Sequence, residues 1–197
     1  MFTGIIRHTG VVEEIINDEE NRHFIIQSPL TSLLHPDESV CHNGVCLTIV
    51  KCLGKSYQVT AVLETLNRTN LRDWVIGGLI NLEQAMKLSD RLDGHLVQGH
   101  IDTMAVCTAI IDQGGSYQLI FSLDTHHKGL VIEKGSICVN GVSLTCYDVT
   151  ENKFTVSIIP YTWDHTNLKK LKVGDKVNIE FDLIGKYVLA ANQYKIS

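Results

Sequence analysis

The feature that most constrains the fold of this chain is an internal repeat. The segment NGVCLT at residues 43–48 returns 97 residues later as NGVSLT at residues 140–145. Further segments repeat in the same order: residues 64–71 with 161–168, 77–83 with 174–180 and, at a shift of 95, 3–6 with 98–101. The 197-residue chain is therefore predicted to consist of two copies of one unit of ~90 residues.

Within each copy, the pattern predicts strands. Short runs rich in β-branched residues alternate with turn residues, at 22–27, 47–50, 57–62, 117–122, 136–139 and 154–159. About six short strands in ~90 residues favour a small closed barrel, because closure removes exposed sheet edges. Between residues 183 and 194, apolar residues at helical spacing predict a short amphipathic helix.

The predicted fold class is all-β, with two tandem homologous six-stranded β-barrels and a short C-terminal α-helix. We assign residues 1–94 to the N-terminal barrel, 95–183 to the C-terminal barrel and 184–197 to the helix and tail. An isolated helix of this length is marginal in water, so it needs a partner, either the barrels or another copy of the chain.

Composition excludes several classes. With 44% hydrophobic and 20% charged residues, the chain is neither disordered nor a coiled coil. A net charge of -5 and 7% aromatic residues argue against an oligonucleotide-binding module and against binding to an anionic membrane surface. Without a secretory pattern at the start or a long apolar run, we expect a cytoplasmic protein in which the six cysteines are free thiols. No metal site is expected, because CxxC and HExxH spacings are absent from the sequence.

Several motifs resemble those of the riboflavin synthase family of the alpha-chain type. They are MFTGII at the start, NGVCLT, GHLVQGHID at 94–102, KGSICVNGVSLT at 134–145 and SIIPYTWDHTNL at 157–168. The resemblance covers essentially the whole chain. It implies a homotrimer and a dismutation of two 6,7-dimethyl-8-ribityllumazine molecules, the last step of riboflavin biosynthesis. One molecule passes a four-carbon unit to the other, giving riboflavin and 5-amino-6-(D-ribitylamino)uracil without cofactor or metal.

The resemblance implies Cys46, His100 and Ser143 as catalytic candidates. A thiolate at Cys46 is a good nucleophile only if its pKa is lowered, and a small buried apolar role is the alternative. Ser143 takes the place of Cys46 in the second copy. Different chemistry in the two copies is the simplest explanation, and drift between side chains of similar size is the alternative. His100 can exchange protons near neutral pH, and its counterpart is Ile5, so packing of the repeat does not require a histidine there.

The implied substrate-binding set adds positions from both copies to these three residues. Those positions are Gly4, Ile5, Ile6, Leu47, Thr48, Thr60, Ala61, Val62, Leu63, Glu64, Thr65, Gly99, Ile101, Lys134, Leu144, Thr145, Ser157, Ile158, Ile159, Pro160, Tyr161, Thr162 and Asp182. Lys134 is expected to reach the site of another subunit. His95 is interpreted as structural, and His42 as a turn-flanking residue near the pocket.

Some alternatives stay open. The nucleophile could be Cys46, a ribityl hydroxyl, water or another group, and the sequence does not assign donor and acceptor to a barrel. Association with lumazine synthase is undecided. A non-catalytic lumazine- or flavin-binding antenna protein is the main rival, and the retained Cys46, His100 and Ser143 favour the enzyme.

Overall fold

The computed structural model describes residues 1–127 and 129–193 and contains two closed antiparallel barrels. The first consists of β1 (His8–Asp18), β2 (Asn21–Gln27), β3 (Ser39–His42), β4 (Val45–Leu53), β5 (Ser56–Ala61) and β6 (Leu79–Gln84). The second consists of β7 (Thr103–Asp112), β8 (Tyr117–Ser122), β9 (Ser136–Val139), β10 (Val142–Tyr147), β11 (Lys153–Ile158) and β12 (Lys176–Phe181). The α-helices of the described residues are α1 (Leu63–Arg68), α2 (Pro160–His165) and α3 (Leu183–Gln193), and short 3-10 helices lie at Pro29–Leu33, Asn70–Asp73, Thr125–His127 and Asn167–Lys170.

The two barrels have the same topology. The first closes in the order β1-β2-β5-β4-β3-β6, and the second in the equivalent order β7-β8-β11-β10-β9-β12. Backbone conformation repeats as well, since Asp37 and Lys134, at equivalent positions, have φ angles of 69° and 62°. The predicted fold class, two tandem six-stranded barrels with a C-terminal helix, is confirmed.

Each barrel has its own apolar core. The segments that precede the two barrels, residues 2–6 and 97–101, cross to the opposite barrel and are called the crossing segments. Ile6 belongs to the core of the second barrel, and Ile101 packs against the core of the first. The crossing segments also pair with each other, because the Phe2 and Val97 backbones exchange hydrogen bonds of 2.7 and 3.1 Å. The domain boundaries at residues 94 and 183 stay a prediction, since the strands themselves occupy 8–84 and 103–181.

Six asparagines connect the barrels, three from each copy. They are Asn43, Asn70 and Asn81 and their repeat counterparts Asn140, Asn167 and Asn178, and all are at most 8% exposed. Asn178 Nδ2 donates to the Asn43 carbonyl, and Asn81 Nδ2 donates to the Asn140 carbonyl, both over 2.9 Å. The interface therefore has an approximate twofold symmetry that follows the sequence repeat.

The C-terminal helix contacts the second barrel through polar groups. The Asp182 carboxylate accepts from the Ile184 N–H at 2.9 Å, which satisfies one free donor of the first turn. Lys186 Nζ lies 2.9 Å from the Asp102 carboxylate. Helix α3 ends at Gln193 in the described part of the chain, so residues 194–197 of the predicted C-terminal segment lie outside it.

Candidate functional site

Each barrel opens where two neighbouring strands separate. In the first barrel, β4 pairs with β5 from Ile49 to Leu53, with a shift in register just after Ile49. Continuing the Ile49–Val59 pairing would place Thr48 opposite Thr60, but that pair does not belong to the ladder. The backbone N–H and C=O groups of the two facing strand edges therefore do not pair with each other. They can bind the alternating donors and acceptors of a flat heterocycle.

The second barrel opens at the equivalent place. Strand β10 pairs with β11 at Cys146–Val156 and Tyr147–Thr155, whereas Thr145 and Ser157 lie beyond this ladder. The gap forms part of an open cleft of about 360 Å³. Its lining residues are Lys134, Ser143, Leu144, Thr145, Tyr147, Ser157, Ile159 and Thr162. All of these except Tyr147 are in the predicted substrate-binding set, so the fold brings these distant positions together.

Strand alternation places the candidate reactive groups on the outer face of each barrel. Leu47 is buried in the first core, whereas its neighbour Thr48 is exposed and Cys46 is partly exposed. Ser143 is likewise partly exposed, and Thr145 is exposed. Cys46 is therefore not a simple core-filling residue, unlike the buried Cys107 and Cys146.

The crossing segments complete both sites. The Gly99 carbonyl accepts from the Cys46 N–H at 2.9 Å, and the Gly4 carbonyl accepts from the Ser143 N–H at 2.8 Å. Both glycines have positive φ, and a Cβ on Gly99 would lie 2.5 Å from the Cys46 Cβ. Glycine is needed here because the backbone turns with positive φ in direct contact with a strand. His100, whose side chain is exposed, directly follows the Gly99 that contacts Cys46.

A histidine that we interpreted as structural forms the closest polar contact of the second site. His95 Nδ1 lies 2.7 Å from Ser143 Oγ, and Nε2 is buried without a hydrogen-bond partner among the described residues. Burial lowers the pKa of His95, while the nearby Asp182 carboxylate raises it. A neutral imidazole that contacts a hydroxyl can accept its proton. In the sequence, His95 lies at the join between the two barrels, and this position favoured a structural role.

His42 has a different environment from the one expected beside a turn. Its side chain is fully buried, with Nδ1 2.9 Å from the Val40 carbonyl and Nε2 2.9 Å from the Tyr57 hydroxyl. Burial lowers the pKa of His42 to about 4. Both side chains are fully buried, so the pair belongs to the interior of the first barrel. The second copy has Val139 and Phe154 at these positions.

The remaining predicted residues are in varied positions. Asp182 caps helix α3, and Lys134 Nζ lies 5.6 Å from the centre of the Tyr147 ring at the cleft.

Two predicted segments run from a strand into a short helix, residues 60–65 into α1 and residues 157–162 into α2. The sequence analysis did not predict these two helices. Pro160 fits the first turn of α2, where its missing N–H costs nothing. Ile158 is buried, whereas Val62, Ile159 and Tyr161 are exposed.

The described residues lack two features, a membrane-spanning helix and a metal-binding cluster of side chains. No helix among them is long and apolar enough to cross a bilayer. Within residues 1–127 and 129–193, no group of histidine, cysteine and acidic side chains is arranged to hold a metal ion.

Comparison with known proteins identifies the repeated unit. The family model of the lumazine binding domain matches residues 3–85 and again residues 98–182. The fold and the equivalent strand gaps of the two barrels thus define a protein with two tandem lumazine binding domains. Riboflavin synthase of Bacillus subtilis is 37% identical, over 95% of this chain and 88% of its own. Riboflavin synthase of Escherichia coli is 38% identical, over 92% and 87%. The chain belongs to the riboflavin synthase family.

Solved structures support the same fold. The crystal structure of LumP complexed with riboflavin superposes with a TM-score of 0.87 and covers 92% of this chain and 99% of LumP. LumP complexed with 6,7-dimethyl-8-(1'-D-ribityl) lumazine gives a TM-score of 0.84. Both are 21% identical to the chain, so they bear on its fold.

Proposed function

We propose that this protein catalyses the dismutation of 6,7-dimethyl-8-ribityllumazine to riboflavin and 5-amino-6-(D-ribitylamino)uracil. Family membership supports the reaction, and one structural observation carries the proposal. The two barrels contain equivalent open sites with different reactive groups, Cys46 beside Gly99 in one and Ser143 with His95 in the other. A reaction between two copies of one substrate needs two similar sites that treat their occupants differently.

The chemistry expected of the protein is orientation and proton handling. The electron-poor ring makes the protons of the C7 methyl acidic and opens C7 to a nucleophile, so the substrate itself supplies much of the reactivity. Holding two such molecules in contact converts their encounter into an intramolecular step. The effective molarity of a well-oriented intramolecular reaction can reach ~10⁵ M or more. The four-carbon unit then moves from one ring to the other, as expected of a transferase without a cofactor.

We assign proton transfer in the second site to Ser143 and His95. Burial lowers the pKa of His95, which favours the neutral ring. A neutral ring can accept a proton through the 2.7 Å contact with Ser143 Oγ. In the first site, Cys46 and His100 are the candidate reactive groups, and the choice of nucleophile stays open. The substrate would bind the separated strand edges at Thr48 and Thr60, and at Thr145 and Ser157.

A homotrimer is part of the proposal. Ile184, Tyr187 and Val188 are spaced along one face of α3 and are 65, 69 and 55% exposed. An apolar helix face of this kind needs a partner, and further copies of the chain would cover it. Sites of neighbouring chains could then face each other. A cytoplasmic location also stays a prediction, and association with lumazine synthase stays undecided.

The test is to incubate the purified protein with 6,7-dimethyl-8-ribityllumazine, anaerobically and with a chelator, and to follow riboflavin absorbance and fluorescence. We expect one riboflavin for every two lumazines consumed. Tight binding of the lumazine without turnover would overturn the enzyme and favour the antenna-type protein. Turnover that stops with chelator would contradict a metal-free reaction.

A further inference from the structure

Two buried carboxylates hold the crossing segments. Glu180 is 1% exposed, and its carboxylate accepts from the backbone N–H groups of Gln98, Gly99 and His100 at 2.6, 2.8 and 3.0 Å. Glu83, its repeat counterpart, is 7% exposed and accepts from the N–H groups of Thr3 and Gly4 at 2.7 and 2.9 Å. The Thr3 hydroxyl donates a further bond of 2.7 Å to Glu83.

These bonds run from one barrel to the site of the other. Glu180 lies on β12 of the second barrel, and the Gly99 that it holds accepts from Cys46 on β4 of the first barrel. Glu83 lies on β6 of the first barrel, and the Gly4 that it holds accepts from Ser143 on β10 of the second. Each carboxylate is therefore two hydrogen bonds away from the candidate reactive residue of the opposite barrel.

The placement of a buried acid at both positions needs a reason. Burial raises the pKa of both carboxyl groups, and the hydrogen bonds from the crossing segments offset only part of this rise. Removing a carboxylate from water is costly unless its oxygens are satisfied, and a core needs no charge to be stable. Charge-assisted bonds are about twice as strong as neutral ones and fix the donors in one geometry. Such an acid is well suited to hold a glycine-containing segment in place.

We propose that Glu180 is the positioning residue of the Cys46 site and Glu83 that of the Ser143 site, each acting across the barrel interface through the crossing segment that it holds. The catalytic consequence rests on the proposed function, whereas the positioning itself does not. Glutamine keeps the size of the side chain, but it removes the charge and directs an NH₂ donor at backbone N–H donors. The segment above the opposite site is then held less firmly.

The first test measures the accessibility of a thiol at each site. In a Cys52→Ser background, Cys46 is the partly exposed thiol and the four other cysteines are buried. A second reporter, Cys46→Ser/Cys52→Ser/Ser143→Cys, moves that thiol to the other site. Because the glutamine loses the charge-assisted bonds to the segment over Cys46, we expect Glu180→Gln to raise the rate of reaction of Cys46 with 5,5'-dithiobis(2-nitrobenzoate) about tenfold or more. Glu83→Gln should leave that rate within about twofold.

The second reporter should give the reverse result, a large effect of Glu83→Gln and a small one of Glu180→Gln. Equal effects of both variants on one thiol would indicate general loosening of the fold and overturn the proposal, and so would no effect of either. If a glutamine variant does not fold by circular dichroism, Glu180→Asp or Glu83→Asp replaces it, since the shorter side chain keeps the charge but cannot span the same distance. The same crossed pattern is then required.

Activity provides an independent measurement. Both glutamine variants should lower kcat about tenfold or more with KM changed less, because the segment orients reactive groups in addition to contacting substrate. If the wild-type protein binds lumazine without turnover, the proposed function fails, and the thiol reactions still decide the positioning. If the wild type turns over and the thiol effects are not crossed, only the positioning proposal fails.

Discussion

Asn70 and Asn178, from opposite barrels, bind each other twice. Asn178 Oδ1 accepts from the Asn70 N–H at 2.8 Å, and Asn178 Nδ2 donates to Asn70 Oδ1 at 2.9 Å. Their repeat counterparts, Asn167 and Asn81, make the same two bonds at 2.7 and 2.9 Å. An amide side chain can mimic the backbone in this way because it has both a donor and an acceptor.

Removing one of these amides should therefore be costly. Asn178→Ala leaves three buried groups without this partner: the Asn70 N–H, Asn70 Oδ1 and the Asn43 carbonyl. Each unsatisfied group costs ~1 to 3 kcal/mol, so we expect the free energy of unfolding to fall by roughly 3 kcal/mol or more. Urea unfolding would measure it. Asn81→Ala should lose a similar amount, and Asn192→Ala, on the exposed part of α3, should lose little. Similar stabilities for Asn178→Ala and Asn192→Ala would contradict the interface as described.

The close approach of Gly99 to Cys46 predicts the effect of adding a methyl group. Gly77 and Gly99 both have a φ of 84°, but only Gly99 has an atom within 3 Å of the position of a Cβ, since nothing lies within 4 Å at Gly77. Gly77→Ala should cost ~1 to 2 kcal/mol for its backbone conformation alone. Gly99→Ala should cost more and should also impair turnover. Equal unfolding free energies and equal activities of the two variants would show that the contact with Cys46 is unimportant.

The buried pair of His42 and Tyr57 predicts a pH dependence of stability. The pKa of His42 falls from 6.5 to about 4 on folding, so between these values the unfolded chain binds more protons than the folded one. Stability then falls as pH is lowered through this range, by about 3 kcal/mol in total from this group.

The second barrel provides the control variant for this effect, because it has valine and phenylalanine at the two positions. His42→Val/Tyr57→Phe removes the titrating group together with its partner. Urea unfolding near pH 7 and near pH 5 should show a smaller acid loss in the variant, by about 2 kcal/mol. Identical losses in the two proteins would mean that His42 is not the group responsible.

The contact between His95 and Ser143 predicts the kinetics of their variants. If the pair moves a proton as one unit, His95→Gln and Ser143→Ala should each lower kcat by ~10² to 10⁴, and the double variant should be little worse than the poorer single one. Steady-state kinetics with the lumazine measures all three. His126→Gln, at an exposed histidine outside the cleft of the second barrel, serves as the control and should keep wild-type activity. Multiplying effects in the double variant would argue against a shared step.

The exposed apolar face of α3 predicts how assembly can be disrupted. Tyr187→Glu places a charge on that face and should convert a trimer to single chains, measured as mass by light scattering. Asn192→Glu changes the charge at an exposed position of the same helix and should keep the trimer. Activity should fall together with the mass if neighbouring chains form the reactive pair of sites. A monomeric wild-type protein would contradict the trimer directly.

Much of the architecture was predictable because the repeat constrains it. The predicted strands at 117–122 and 136–139 coincide with β8 and β9, and the number of strands in each copy follows from turn residues that recur at a constant shift. Helices α1 and α2 were not predicted because each has six residues, too few for a helical period to be distinguished from a strand end.

The crossing of the segments could not be predicted. A repeat relates Gly4 to Gly99 equally well whether each lies on its own barrel or on the other one, because both arrangements bury the same residues. The role of His95 was missed for a related reason. It has no counterpart in the first copy, and only the folded chain places it against Ser143, 48 residues away.

The crossing segments also have a consequence for the origin of the chain. Two separate copies of the unit that exchanged their N-terminal segments in a symmetric dimer would make the contacts now made by Gly4 and Gly99. In such a dimer both sites would be identical. Joining the copies in one polypeptide keeps them together at any concentration and frees each site to change independently, as it has at Cys46 and Ser143. Covalent fusion of a domain-swapped dimer is thus a route from two equal binding sites to two with distinct chemistry.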